Sequence, residues 1–211
     1  MIRAVIFDLG HVLVDVRVAD TPRAWAAAAG LDAESVERIY WADTAYERLE
    51  RGQITLADYH AHLAARLDGP LSLEDFERGW CDIFGEILPG VEALLDRLDG
   101  QVRLVCLSNT NAAHTAVWSE VYRDLLSRFE RVFTSHTMGA RKPEAACFRQ
   151  VLDYLGLPAA EVAFVDDRAE NVDAARALGM HGIVATGAEQ VAGDLARLGV
   201  GAGGRDGSSP S

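Results

Sequence analysis

Cysteine is scarce in this chain and scattered: Cys81, Cys106 and Cys147 stand far apart, with no CxxC pair among them. Three such thiols make no disulfide framework and read as buried apolar side chains in a reducing compartment. Positive charge is also short. The 20 Lys and Arg face 32 Asp and Glu, for a formal charge of −12, which leaves no basic footprint to replace the counterions of a nucleic acid. An anionic ligand must be drawn in by a local device, such as a metal ion or a buried lysine, because the bulk field repels it. Long apolar runs are absent too. No stretch approaches the roughly 18 residues of a membrane span, and the first apolar run stops at Asp8, too early for the apolar region of a signal peptide. The expectation is a cytoplasmic protein that engages neither nucleic acid nor membrane.

Hydrophobic residues make up 49% of the 211 and charged residues 25%, enough for one filled core or one domain with an insert. Ala4-Val5-Ile6-Phe7 is a continuous apolar run of the kind buried on both faces of a parallel sheet. Similar runs recur at Val102 to Leu107, Val162 to Val165 and Gly182 to Ala185. Helical spacing precedes the second run (Val91, Leu94, Leu95, Leu98) and follows the third (Val172, Ala175, Leu178). Strands alternating with amphipathic helices predict an α/β doubly wound parallel sheet, whose ligands bind beyond the carboxyl ends of the strands.

The stretch from about Arg17 to Ile87 breaks this rhythm, with helical patterns and no convincing strand. Thr21-Pro22 fits an N-cap with proline at the first helical position. Glu34 to Leu49 reads as one or two helices, Thr55 as a cap before a helix over Ala57 to Leu67, and Ser72 to Asp75 as the opening of another. The expected division is a discontinuous core, residues 1–16 and 88–200, with a helical cap domain over 17–87. A Gly- and Ser-rich flexible tail follows at 201–211.

Four segments at strand ends carry candidate chemistry. Asp8 follows the first strand directly, where a carboxylate serves as nucleophile, metal ligand or simple turn cap, and Gly10 permits close approach of backbone to a ligand. Ser108-Asn109-Thr110-Asn111 follows the second run and offers a hydroxyl and an N–H to a phosphate oxygen; the same residue types are also ordinary helix caps. In Arg141-Lys142-Pro143-Glu144 the proline fixes a helix start and so the direction of Lys142, unless the lysine is merely exposed. Asp166-Asp167 ends the third run, and adjacent carboxylates at a buried strand end repel each other unless a cation sits there. Hard oxygen donors of this kind suit magnesium.

In order and placement these segments resemble the four motifs of the haloacid dehalogenase superfamily from end to end of the chain, apart from the tail. FDLGHVLVD, LSNTN, RKPE and FVDDRAEN look especially like the bacterial glucose-1-phosphate phosphatases, and Arg51-Gly52-Gln53-Ile54-Thr55 is similar to their cap linker. The resemblance implies a phosphatase of a small phosphorylated metabolite, a sugar phosphate by this likeness, acting as monomer or homodimer. Asp8 would attack phosphorus and become an aspartyl phosphate. Mg2+ would be held by the Asp8 carboxylate, the Gly10 carbonyl and Asp167, with Asp166 direct or through water. Ser108 and Asn109 would bind phosphoryl oxygens, Lys142 would balance charge, and Asn171 and His11 would support the site from behind.

One departure stands out. Most phosphatases of the superfamily carry a second aspartate, the general acid, two residues after the nucleophile. That position is Gly10 here, which leaves His11 and Asp15 as nearby candidates for the proton. Two rival readings use the same residues: a 2-haloacid dehalogenase, for which the acidic pair makes little sense beside an anionic substrate, and a non-catalytic binder, for which the complete set is unexpected.

Overall fold

The apolar runs beginning at Ala4, Val102 and Val162 lie side by side at the centre of the molecule. A computed structural model describes residues 1–41 and 43–201. In chain order its strands are β1 (Ala4–Phe7), β2 (Val14–Val16), β3 (Phe84–Ile87), β4 (Arg103–Ser108), β5 (Arg131–Thr134), β6 (Val162–Asp166) and β7 (His181–Val184). Five form a parallel sheet in the order β5-β4-β1-β6-β7. Alternation along β1 feeds both faces: Val5 and Phe7 enter one core cluster, Ala4 and Ile6 the other. That is the period of two that a strand imposes.

Helices cover each face. Leu94, Leu95 and Leu98 of α6 (Val91–Leu98) and Val191 and Leu195 of α12 (Ala188–Arg197) pack on the first cluster. Cys147, Phe148 and Val151 of α10 (Ala145–Leu155) and Val172 and Ala175 of α11 (Ala169–Ala177) pack on the second. The connections carry α7 (Ala112–Val121), α8 (Arg123–Leu126) and α9 (Ser135–Met138). Cys106 and Cys147 are buried and Cys81 is partly so; all three are free thiols.

The stretch after β2 forms a separate helical layer with its own core: α1 (Asp20–Ala29), α2 (Ala33–Trp41), α3 (Ala45–Glu50), α4 (Leu56–Ala64) and α5 (Leu73–Cys81). Trp25 stacks on Phe76 at 4.4 Å and on Trp80 at 5.9 Å, and its indole N–H donates to the Phe76 carbonyl. The expected caps of the last two helices form. Thr55 and Asp58 make a reciprocal capping box, and Ser72 accepts from the Asp75 N–H.

Three local expectations need correction. Thr21 is buried inside α1 and Ala19 occupies the cap position, because the Asp20 N–H already bonds the Arg17 carbonyl and starts the turn early. The stretch to Ile87 does hold a strand: β3 pairs antiparallel with β2, Val14 opposite Ile87. Its residues, Phe84-Gly85-Glu86-Ile87, show no clean alternation, and the strand exists by pairing where the chain leaves and re-enters the sheet region. β5 is the third. It is an edge strand with two apolar residues between Arg131 and Thr134, and short, charged edges are how sheets limit further pairing. Of the tail expected at 201–211, only Gly201 lies among the described residues. No helix among them is long and apolar enough to cross a membrane.

Candidate active site

Sheet register brings the chemistry together. β1 lies between β4 and β6, with Phe7 opposite both Cys106 and Val165. The Asp8 N–H continues the ladder to the Val165 carbonyl at 2.8 Å. Asp8, Ser108 and Asp166 thus emerge from three adjacent strands at one edge, the place where connections diverge to opposite sides and leave a crevice.

Lys142 joins them from the loop before α10. Its Nζ lies 2.7 Å from Asp8 Oδ1 and 2.7 Å from Asp166 Oδ2, with side-chain exposures of 1%, 13% and 0% for Lys142, Asp8 and Asp166. It is the single lysine of the chain. Asn109 clamps its backbone: Asn109 Oδ1 accepts from the Lys142 N–H at 2.8 Å, and Nδ2 donates to the Lys142 carbonyl at 2.9 Å. Asp166 is further held by the Arg168 N–H at 2.9 Å and by Asn171 Nδ2 on both oxygens.

One ammonium is shared by too many carboxylates. Oxygens of Asp8, Asp166 and Asp167 lie within 4.8 Å of one another, so the cluster stays negative even with Lys142 charged. Burial pushes Asp8 up to about 7 against the pull of Lys142, and Asp166 adds to the rise. Burial and Asp166 likewise raise Asp167, with His11 pulling the other way. Burial alone would depress the lysine, but Asp8 and Asp166 outweigh it and hold the ammonium above its ordinary range. The buried Asn171 Oδ1 has no hydrogen-bond partner. Three hard carboxylates with excess negative charge and an open amide oxygen fit a magnesium-like cation.

The remaining expected residues fall unevenly. Ser108 is buried and lines a cavity of about 540 Å³ above the cluster, together with Gly10, His11, Asn109 and Arg168. It ends β4 and does not start a helix: α7 opens at Ala112, capped by Asn111. α10 starts at Ala145, two residues beyond Pro143. His11 is exposed, at φ 57°, with its N–H donated to the Val14 carbonyl. At Gly10 a Cβ would stand 3.2 Å from Val16 Cγ2, so a side chain there would press on β2. Asp15 faces Gly85 and is not part of the cavity lining.

The helical layer closes the other side of the cavity with Tyr40, Trp41, Tyr46, Glu50, Tyr59 and Trp80. His60 turns away and bonds the Leu71 carbonyl at 2.7 Å. Glu50 and its partner Arg141 were not singled out from the sequence. Arg141 adjoins Lys142, but a glutamate in a charged helix gives no sign that it is buried.

Comparison with known proteins gives the same picture. The profile of the haloacid dehalogenase-like hydrolase family matches residues 2–179. The sesquiterpene phosphatase astK of Aspergillus oryzae is 30% identical over 185 residues, 86% of this chain and 88% of that protein. The D-ribitol-5-phosphate phosphatase of Bacteroides thetaiotaomicron is 24% identical over 85% of this chain and 89% of its own. Drimenol cyclase drtB of Aspergillus calidoustus is 28% identical over 87% of this chain, which spans only about a third (34%) of that longer protein. Among solved structures, a family enzyme of Bacteroides thetaiotaomicron in complex with magnesium and inorganic phosphate superposes with a TM-score of 0.75 at 23% identity. The match covers 89% of this chain and 96% of that one. With the family profile spanning four of the five sheet strands, the helical layer and all four strand-end segments, the chain belongs to the haloacid dehalogenase-like hydrolases.

Proposed function

We propose that this hydrolase is a magnesium-dependent phosphatase of small phosphomonoesters, working through an aspartyl phosphate on Asp8 beneath a cap formed by residues 17–87. The observation that carries the reading is the Asp8–Lys142–Asp166 triad at the floor of the cavity, with Asp167 beside it.

Asp8 attacks phosphorus through a carboxylate oxygen, the bond from phosphorus to the leaving oxygen breaks, and the alcohol departs with a proton taken from solvent or the cavity. Water then attacks phosphorus, expels the Asp8 carboxylate and releases inorganic phosphate. Lys142 opposes the protonation of Asp8 that burial favours and offsets charge gathering on the transferring group. Ser108 donates to a phosphoryl oxygen, and Asn109 braces Lys142 from behind through the two bonds to its backbone. Asp8, Asp167, the Gly10 carbonyl and Asp166 would hold the cation, with the open Oδ1 of Asn171 nearby in the lining. When bound, magnesium supplies a hard Lewis acid that screens the anionic nucleophile from the anionic ester. A 2-haloacid dehalogenase would bring a further carboxylate to this already over-charged cluster, which argues against that use of Asp8.

With glycine at position 10, no side-chain acid follows the nucleophile, and the leaving oxygen departs with more negative charge. Esters of more acidic alcohols are favoured, so a sugar 1-phosphate should be used ahead of the matching 6-phosphate, in line with the resemblance to glucose-1-phosphate phosphatases. The test is phosphate release from a panel of phosphorylated metabolites, with glucose 1- and 6-phosphate and aryl phosphates included, in magnesium and in chelator. Turnover of esters in excess chelator would sink the metal assignment. A flat response to leaving-group acidity would show that another residue delivers the proton.

A further inference from the structure

The loop that carries Lys142 is held from two directions, and the second hold comes from the helical layer. The end of α3 brings Glu47, Glu50 and Arg51 against residues 141 and 144, which flank the lysine segment. Glu50, 2% exposed, accepts from Arg141 Nε at 2.5 Å. Glu47 lies 3.2 Å from the same guanidinium. On the far side of Lys142, Arg51 Nε donates to Glu144 at 2.7 Å while its other end reaches Glu47 at 3.0 Å. The chain then turns at Gly52, φ 65°, where a Cβ would stand 2.3 Å from the His136 carbonyl oxygen. No other residue type fits that approach without moving backbone. At this junction the helical layer grips the lysine loop from both flanks.

We propose that Glu50 is a positioning residue for Lys142, acting through Arg141, so that seating of the helical layer and placement of the ammonium between Asp8 and Asp166 are a single event. The proposal rests on the phosphatase reading only for its kinetic half. Its physical basis is the shape of the linkage. Arg141 is covalently next to Lys142, and its guanidinium is planar and forked, so a carboxylate that fixes it also fixes the direction of the adjoining backbone. Asn109 fixes the height of that backbone from the sheet side. With Glu50 neutral or gone, Arg141 keeps only the half-exposed Glu47, and the hold on the near side of Lys142 loosens while Asn109 and the Arg51–Glu144 pair still anchor the rest of the loop. Small displacements matter at such a site, since a shift of about 1 Å in a reacting group is worth on the order of a hundredfold in rate.

Because the chain has a single lysine, protein labelled with 15N-lysine gives one backbone amide signal, that of Lys142. Wild type and Glu50→Gln are compared by this signal and by steady-state hydrolysis of an aryl phosphate, each also in a Lys142→Ala background for the kinetics. The expected result is a shifted or broadened lysine amide and a kcat lower by on the order of tenfold, with KM nearly unchanged. The Glu50→Gln penalty should vanish once Lys142 is alanine, which a merely structural loss would not do. If Glu50→Gln does not fold, Glu47→Gln touches the same guanidinium from a more exposed site and should move the signal in the same sense by less. An unmoved lysine amide overturns the proposal, and so does an equal kinetic penalty in the Lys142→Ala background. If wild type hydrolyses no phosphate ester, the functional reading fails while the amide signal still decides the positioning claim.

Discussion

The sheet edge and the helical layer face each other across one cavity, yet they are built by different rules. At the sheet edge, position follows from backbone register. Asp8, Ser108 and Asp166 end three paired strands, and their side chains converge whatever the rest of the molecule does. In the helical layer, position follows from packing. Tyr46, Glu50 and Trp80 reach the cavity because Trp25, Leu49, Leu63 and Phe76 fill a core behind them and set the helix angles. The difference teaches where to expect chemistry and where to expect selection. In the proposed reaction the edge carries the charge that would act on phosphorus, and the layer carries the aromatic bodies that would face the leaving group.

Substitutions can break this comparison from either side. The largest effect belongs to the edge: Asp8→Asn should abolish turnover, measured as phosphate release, because an amide forms no acyl phosphate. Lys142→Ala comes next. Its kcat should fall on the order of a hundredfold or more, since loss of one charge-stabilising group costs about 3 kcal/mol of barrier. The protein should also lose on the order of 3 kcal/mol of stability in denaturant, because Asp8 and Asp166 are left as buried, unpaired charges. A near wild-type rate would reduce the lysine to a packing residue. Removal of divalent cation should stop turnover and lower the melting temperature, and saturating magnesium at about 100 times its Kd should restore about 2.7 kcal/mol.

In the layer, Trp25→Ala should cost about 3 to 5 kcal/mol of folding free energy, because Trp25 is almost fully buried and stacked on two rings. A cost under 1 kcal/mol would mean that the layer is held by its contacts with the sheet region and not by its own core.

The last effect sits at the junction. His114 Nε2–H donates to the Trp80 carbonyl at 2.8 Å, and Nδ1 accepts from Asn111 Nδ2 at 3.1 Å, which requires the neutral ring. Burial lowers its pKa from 6.5 to about 4. A histidine depressed in the folded state takes up a proton first in the unfolded one, so its share of stability is complete above pH 6.5. That share is lost as pH falls toward 4 and does not change further below that. At about 1.4 kcal/mol per pKa unit this amounts to at most about 3 to 4 kcal/mol. Denaturant midpoints across that range should slope less in His114→Gln than in wild type. Equal slopes would place the titration elsewhere.

How much could be read without coordinates differs by region for the same reason. β1, β4 and β6 declared themselves because strands buried on both faces must be continuously apolar, and a charge directly after such a run can only lie at the sheet edge; β7, an edge strand, showed itself by the short apolar run at Ile183 and Val184. β3 and β5 did not. One is made by pairing across a long connection and the other is a short, charged edge. Lys142 could be proposed from its motif, but nothing in its neighbours said that one ammonium would serve two carboxylates. Glu50 was invisible, because a glutamate four residues from Tyr46 on a polar helix is ordinarily solvated.

By itself the sequence determined the strand-end acids, the family motifs, the missing carboxylate at Gly10 and the helical character of the stretch between the first two sheet strands. These are properties of local pattern, where each residue's neighbours in the chain are also its neighbours in space. Only the tertiary structure decided that Asn109 turns its amide to the lysine backbone, that Asp15 faces away, and that Glu50 reaches Arg141 across 91 residues of chain. Those contacts join elements distant in sequence, and their geometry is set by how whole helices pack.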